Sequence, residues 1–551
     1  MKSSFSRVLT ILLVMVLLLC TLSYLQNRMN GLRSEYHLTD NAPLENAPPV
    51  VAFTSVALGG FRGILADYLW LRSSRMQDEG KYYEMVQLAD WIVKLQPRFT
   101  GAHAFLGWNM SYNVSVKFTG FDDRWRWVKR GLEVIRDEAL EYNPNDPDLF
   151  RQLGWIFQHK MGQDLDDANR YYKVEWAKEM IRLFGDYYLQ WETLDKAPLN
   201  ETKLLAVLDT RAADYRRILT ENNADFSKLE LEFRDAATIP QRFREAFDEA
   251  GITQDVELCL RHRWMVYKYR LDPAFMIRLN ELYGEFDWRL PEAHAIYWAQ
   301  KGLDMWQDPA AAFKRLQCDR MIFQSLNAAF STGKLLYLKG DLKTIQFQPN
   351  FNLADSAKKA YEDTMAEFQG NNLDGAFKNF LVDAIVRLYI FGYKKKSQNY
   401  FDYAKKASFN HGRVPNNVSL EDFVVKELAE DLTDPSHRTA EQTINSYLFQ
   451  AYTILAYADS EQSDEFQSFE GLTLTAKSIY DSFMKMASGT ELRRGLPPFD
   501  QMRRTAVGVI GRSLAANPET LKLAENLAQF QQIPMERFIP RAEEIKAPTV
   551  K

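Results

Sequence analysis

This sequence predicts an all-α protein, an N-terminal transmembrane helix followed by a solenoid of helical hairpins. Three observations carry that expectation. The chain echoes itself at an offset of 47 residues: Pro97, Leu106, Gly107 and Trp108 recur as Pro144, Leu153, Gly154 and Trp155. Self-similarity at a fixed spacing is the signature of stacked supersecondary units. Gly and Pro are sparse and β-branched alternation is hard to find, so the remaining periodicity is helical. An apolar run near the N-terminus is about as long as the shortest helix that spans a bilayer.

Composition narrows the function classes before any motif is read. The chain has 551 residues, too many for one small core. Its 68 basic and 73 acidic side chains are interspersed and sum to −5, which offers no polyanion-binding surface and argues against nucleic acid. The 35 Phe, 26 Tyr and 12 Trp are expected as thick side chains between helical layers. Of the cysteines, Cys20 lies in the apolar run, and Cys259 and Cys318 sit in separate helical segments. No Cys-x-x-Cys is present, so zinc and redox motifs are unsupported, and two buried free thiols are expected rather than a disulfide.

Residues 1–26 read as a signal-anchor. Lys2 and Arg7 precede the charge-free run 8–25, which spans 18 residues. Bulky Leu18 and Leu19 before Cys20 exclude a lipobox, and Thr21-Leu22-Ser23 is a poor cleavage site. An uncleaved helix is expected, with its short tail inside and the bulk of the chain extracytoplasmic. Residues 27–49 are polar, contain Pro43, Pro48 and Pro49, and read as a stalk. The apolar stretch 50–61 is too short to span and is expected as a buried first helix.

Residues 50–185 carry the repeats. An amphipathic segment over 64–79 turns at Gly80 and returns over 82–95, before Pro97. The next unit has Leu106-Gly107, Ala139 and Pro144, and the third has Leu153-Gly154, Ala168 and a helix running to about Phe184. Small residues let helices approach closely, and Pro ends a unit because it cannot continue the hydrogen-bond ladder. This block resembles the tetratricopeptide repeats, in which a turn glycine and a terminal proline bracket the second helix. The resemblance covers about residues 60–185. It implies an array of hairpins presenting a groove to a protein or peptide. The family period is 34, so 47 leaves an excess of 13 residues. That excess is expected as a protruding segment over 111–123, beside the groove.

Residues 186–335 read as irregular hairpins, with helical patterns over 203–220, 239–250, 253–270, 273–283, 291–302 and 309–331. Pro291 followed by Glu292 is a helix start. Residues 336–551 form a C-terminal helical region. It opens with a loop or short hairpin over 336–352 and continues with a pair over 376–391 and 395–407, joined at Gly392. Four further helices are expected near 439–459, 468–488, 499–515 and 518–530.

Enzyme motifs are missing: no phosphate loop, no His-Glu-x-x-His, no Gly-x-Ser-x-Gly. No two histidines stand three or four apart, which disfavours a helical metal pair. The densest chemistry is Asp287 to Trp298. There Trp288, Arg289, His294, Tyr297 and Trp298 form the candidate ligand or partner surface: Trp faces for stacking, Arg289 for an anion, His294 for a proton. The competing reading is a loop-to-helix junction, with His294 and Trp298 on one helical face and Arg289 paired to an acidic neighbour. Arg124, Trp125, Arg126 and Trp127 point in different directions on a helix and are read as a helix start. The expected function is a membrane-anchored scaffold that binds a protein or peptide at the cell envelope without cofactor, metal or catalysis. Two other readings compete. One is an exported α/α-toroid enzyme on polysaccharide, which needs a Trp-lined cleft with two facing carboxylates. The other is a structural spacer or oligomer subunit.

Overall fold

The computed structural model describes residues 2–35, 61–163, 165–306, 311–338, 341–368, 373–407, 412–430, 437–487 and 496–538. They are all-α apart from one β-hairpin. Helix α1 spans Lys2–Glu35 and passes residue 26 without a break, so the start of the expected stalk is helix. Among the described residues no helix is long and apolar enough to cross a membrane. Side chains of α1 are described from Val14 onward, so the start of the run 8–25 lies outside them. Residues 36–60, with the three stalk prolines and the apolar stretch from Val50, also lie outside the described residues.

The repeat block is three helix pairs. Helices α2 (Phe61–Asp78) and α3 (Tyr82–Leu95) form the first. Gly80 joins them at φ +73, a conformation open to glycine. Its N–H bonds Gln77 O and the Lys81 N–H bonds Met76 O, the two bonds of a Schellman ending. The second pair is α4 (Thr100–Trp108) and α5 (Phe121–Glu133). Both helices run on: α4 through a π-helical turn, Asn109–Val114, and a 3-10 turn, Ser115–Lys117; α5 through a π turn, Val134–Ala139, to Tyr142. The third pair is α6 (Pro147–Trp155), continued by a π turn over Ile156–Met161, and α7 (Asn169–Phe184). Asp146 caps α6, accepting from the N–H groups of Asp148 and Leu149, with Pro147 in the first turn. Unit ends stack directly: Asn143 Nδ2 donates to Pro97 O at 3.0 Å.

The expected protrusion over 111–123 is not what forms. Ser111, Val114 and Ser115 are fully buried, and exposure begins only at Val116 and Lys117, where the chain turns into α5. The excess residues lengthen α4 and α5, because the continued turns find apolar cover in the unit itself. Arg124 to Trp127 fall in α5, as a helix start does, with Trp125 buried and Arg126 exposed.

Beyond the third pair the chain continues as α8 (Trp191–Lys196), α9 (Glu201–Leu208), α10 (Ala212–Glu221), α11 (Phe226–Ala236), α12 (Gln241–Glu249) and α13 (Thr253–Arg263). Then come α14 (Pro273–Tyr283), α15 (Pro291–Met305) and α16 (Ala312–Thr332). The helix expected over 203–220 is two helices, broken at Asp209 with φ 52. An antiparallel hairpin follows, β1 (Lys334–Leu338) with β2 (Asp341–Gln348), pairing Leu335 with Phe347. The C-terminal helices are α17 (Ala354–Glu367), α18 (Asp374–Ile390), α19 (Lys394–Lys406), α20 (Leu420–Glu430), α21 (His437–Leu455), α22 (Asp464–Ala487), α23 (Phe499–Ala515) and α24 (Leu521–Phe530). Gly392 repeats the Schellman ending of Gly80 between α18 and α19.

One continuous core runs from Trp125 to Phe538, so the expected boundaries at 185/186 and 335/336 do not divide it. A smaller cluster joins α2, α3, α4 and the start of the π turn in α5. Helix α15 is the central element: every residue from Pro291 to Gln300 is buried, the mark of a helix packed on all sides. It departs from nearest-neighbour stacking. Gly107 packs inside its own pair, where an added Cβ would lie 2.8 Å from Gly131 O. Gly154 instead meets α15, at 3.2 Å from Ala295 O and from Ala299 N. The two copies of the motif thus make the same kind of close approach to different partners. The thiols of Cys259 and Cys318 are free and buried, and burial pushes both up to about 12.

Candidate functional site: an aromatic groove between repeat helices

The first helices of the second and third pairs wall a groove of about 770 Å³. On α4 its lining positions are Thr100, Gly101, Ala104, Phe105 and Trp108; on α6 they are Asp148, Leu149, Arg151, Gln152 and Trp155. Four of the five on each helix are 47 positions apart: Gly101 and Asp148, Ala104 and Arg151, Phe105 and Gln152, Trp108 and Trp155. The echo therefore extends from sequence into space: equivalent faces of two repeats build one concavity. Trp70 of α2 and Phe99 close one end, and Lys314, Gln317 and Met321 of α16 form the far wall.

The aromatic side chains are held in place. Trp108 stacks on Tyr112 at 5.6 Å, and Trp155 stacks on His159 at 4.6 Å, so each tryptophan rests on the residue four positions later. The Tyr112 hydroxyl lies 3.3 Å from His159 Nδ1 and ties the two stacks together. Each stack lies across the π turn that follows its motif, a feature frequent at functional sites. Trp70 packs on Phe99 and Phe105, with centroids at 5.5 and 4.9 Å. Burial, with Lys160 adjacent, lowers the His159 pKa and favours the neutral ring at neutral pH.

The groove has two characters. Its α4 side is mainly apolar, and its α6 side mixes Leu149 and Trp155 with the polar Asp148, Arg151 and Gln152. Asp148 is its only carboxylate among the described lining residues, and it pairs with Lys314 and, at 3.2 Å, with Arg151. Gln152 and Gln317 add amides. Such a surface can stack and bury apolar side chains along one edge and hydrogen-bond along the other.

The structure places the cluster expected as a ligand surface elsewhere. Trp288, His294, Tyr297 and Trp298 are buried in the core and line no surface. Trp288 Nε1 donates to Asn280 Oδ1 at 3.1 Å. His294 Nε2 lies 2.8 Å from Trp288 O, and its ring stacks on Phe157; burial drives its pKa down to about 3. The Tyr297 hydroxyl accepts from Asp272 N and donates to Arg270 O. Trp298 stacks on Phe150 of α6. The physical reason is that α15 has a neighbour on every side, so none of its faces is left for a ligand. Arg289 alone reaches a cavity, one of about 310 Å³ between the hairpin, Tyr188 and α22. There it is already paired, with Nε and Nη2 at 2.8 and 2.7 Å from Asp287. Asp287 also accepts from Leu335 N and from the Tyr188 hydroxyl, so this network fastens β1 to the loop before α15.

Of the repeat-defining residues, Gly80, Pro97 and Pro144 stand at turns, and Leu106, Gly107, Leu153 and Gly154 are buried. The groove tryptophans are candidate site residues that the sequence expectation did not include. They were visible as the residue after each packing glycine: one position further turns a side chain by about 100° around the helix, off the core and toward the neighbouring helix. Comparison of the chain with protein-family models, with curated proteins and with solved structures finds no match.

Proposed function

We propose that this protein is a membrane-anchored helical scaffold of tetratricopeptide-like repeats that holds a protein segment in the groove between α4 and α6. One observation carries the reading: four lining residues of each helix are repeat equivalents, and both helices present a supported tryptophan to the same space. Trp is a preferred anchor of binding surfaces because it buries large area at low entropic cost. The matching ligand is an amphipathic peptide, with aromatic or aliphatic side chains toward Phe105 and Trp108 and polar groups toward Gln152 and Gln317. The lone carboxylate of the groove is ion-paired, which favours binding over two-carboxylate hydrolysis. The charge-free run 8–25 within α1 supports anchoring, with the bulk of the chain extracytoplasmic.

The experiment is a random-peptide display selection on the detergent-solubilised full chain, with Trp108→Ala/Trp155→Ala as the counter-target. Selected peptides should carry apolar anchors and bind the double variant at least about 30-fold more weakly, the loss expected for hot-spot truncation. Selected peptides that bind both proteins equally would remove the groove from the proposal.

A further inference from the structure

Helix α2 is apolar on two opposite sides. Ala66, Leu69 and Met76 turn onto α3 and α4 within the smaller core cluster. A second row, Phe61, Ile64, Leu65, Tyr68 and Leu71, recurs at spacings of three and four and faces outward, with Phe61 and Leu71 at 75% and 70% exposure. The same row ends in Arg72 and Arg75, both exposed. A helix with two apolar faces has two things to cover, and the described residues cover one.

Three features say what covers the other. Arg72 and Arg75 stand within the row, while the exposed Asp67 and Asp78 lie along its Leu71 edge, so the centre of the face complements an apolar surface that carries anionic groups. Tyr68 and the two arginines combine apolar bodies with polar tips, the chemistry that sits at a lipid headgroup boundary. And α2 follows the anchor run in the same chain, which raises its effective concentration at the lipid surface. We propose that α2 lies flat on the membrane, with Phe61, Ile64, Leu65, Tyr68 and Leu71 bedded at the headgroup–acyl boundary and Arg72 and Arg75 on anionic headgroups. This rests on the anchored reading above. Its consequence is geometric. Trp70, on the inward side of α2, lines the aromatic groove. Docking therefore sets the groove about one helix diameter, roughly 10 Å, from the lipid, where it meets juxtamembrane segments of partners.

The test uses the full chain in a Cys20→Ser background; Cys259 and Cys318 are buried. Single cysteines at Ile64→Cys, Leu71→Cys and, as a control on the exposed Leu231 of α11, Leu231→Cys carry an environment-sensitive fluorophore. Each protein is reconstituted in phosphatidylcholine vesicles with and without phosphatidylglycerol, containing nitroxide-labelled lipid. Labels at 64 and 71 should be quenched by lipid at least about threefold more than the label at 231. Arg72→Gln with Arg75→Gln should shift docking on the anionic vesicles by about 30-fold, read as loss of quenching. Carbonate extraction of the same vesicles reports the anchor separately. Retention without quenching at 64 and 71 overturns the docking of α2 and leaves the anchor standing. Extraction with quenching at neutral pH supports the docking and removes the anchor. Extraction without quenching overturns both. Energy transfer between labelled copies in place of lipid quenching assigns the face to a second copy and overturns the proposal.

Discussion

His294 gives the sharpest test of the central helix. Its ring is enclosed by Phe157, Trp176 and Trp288. Burial holds its pKa down to about 3, opposed by the bond to Trp288 O and aided by Arg136, against about 6.5 for an exposed imidazole. The native state refuses a proton that the unfolded chain takes up below about pH 6.5. The stability tied to this group is therefore complete above that pH and is lost as pH falls toward 3, by about 1.4 kcal/mol per pH unit. At about pH 5 the loss is about 2 kcal/mol, and near pH 3 it approaches about 5 kcal/mol. His294→Gln removes the titration and keeps an N–H for the Trp288 carbonyl. The variant starts lower at neutral pH, by about 1–2 kcal/mol for lost ring contacts. It then loses less on acidification. Urea unfolding followed by near-ultraviolet circular dichroism, repeated from about pH 7.5 to about pH 4.5, should show the variant gaining about 2–3 kcal/mol relative to wild type, enough to close the initial gap and reverse it. Parallel curves would refute the burial-driven titration, and with it the enclosure of α15.

Three further outcomes follow from the same packing. Lys173 and Glu292 form a buried pair, and Lys173 also donates to Thr332 Oγ1 at 2.9 Å. Lys173→Met alone should cost about 3–5 kcal/mol, while Lys173→Met with Glu292→Leu should recover most of it in thermal unfolding; a double variant that equals the sum of the singles speaks against the pair. Gly131→Ala puts a Cβ 2.2 Å from Ser111 Oγ and 2.5 Å from Gly107 O, and should cost about 2–3 kcal/mol. Gly154→Ala, with its nearest atoms at 3.2 Å, should stay within about 1 kcal/mol of wild type because better helix propensity offsets the crowding; equal melting shifts for the two would contradict the closer helix approach at Gly131. Asp287→Asn removes the charge that holds Arg289, and should raise proteolytic cleavage in the hairpin over 334–348 by at least about tenfold. Unchanged cleavage would show that strand pairing alone holds it.

Local chemistry was legible where it is written locally. Gly80 and Gly392 mark turns because the backbone there needs positive φ. The pattern over 273–283 is the observed α14, because Asp272 before Pro273 is a cap followed by a first-turn proline. Less was legible where tertiary contacts decide. The apolar pattern runs unbroken over 203–220, yet the chain breaks at Asp209 to bring α9 and α10 separately onto their neighbours. Helices α8, α11, α17 and α20 do not stand out in the sequence, since a short half-polar pattern is weak until something packs on it. The candidate site was half visible: Trp108 and Trp155 stood out as an echo, but nothing local told whether they were core or groove. The chemically rich stretch from Asp287 to Trp298 drew the eye for its residue types, and those residues are there to fill the centre.

The sequence by itself determined the all-α class, the hairpin turns and the 47-residue correspondence, because helix periodicity, turn conformation and repetition are properties of neighbouring residues. Only the tertiary structure decided that Gly154 packs on α15 while Gly107 packs within its own pair. It alone turned an excess of 13 residues into longer helices rather than a protrusion, and made two echoed tryptophans the walls of one groove. The reason is physical. A periodic apolar pattern says that a helix face must be covered, and leaves open which of many equally apolar faces, tens or hundreds of residues away, will cover it.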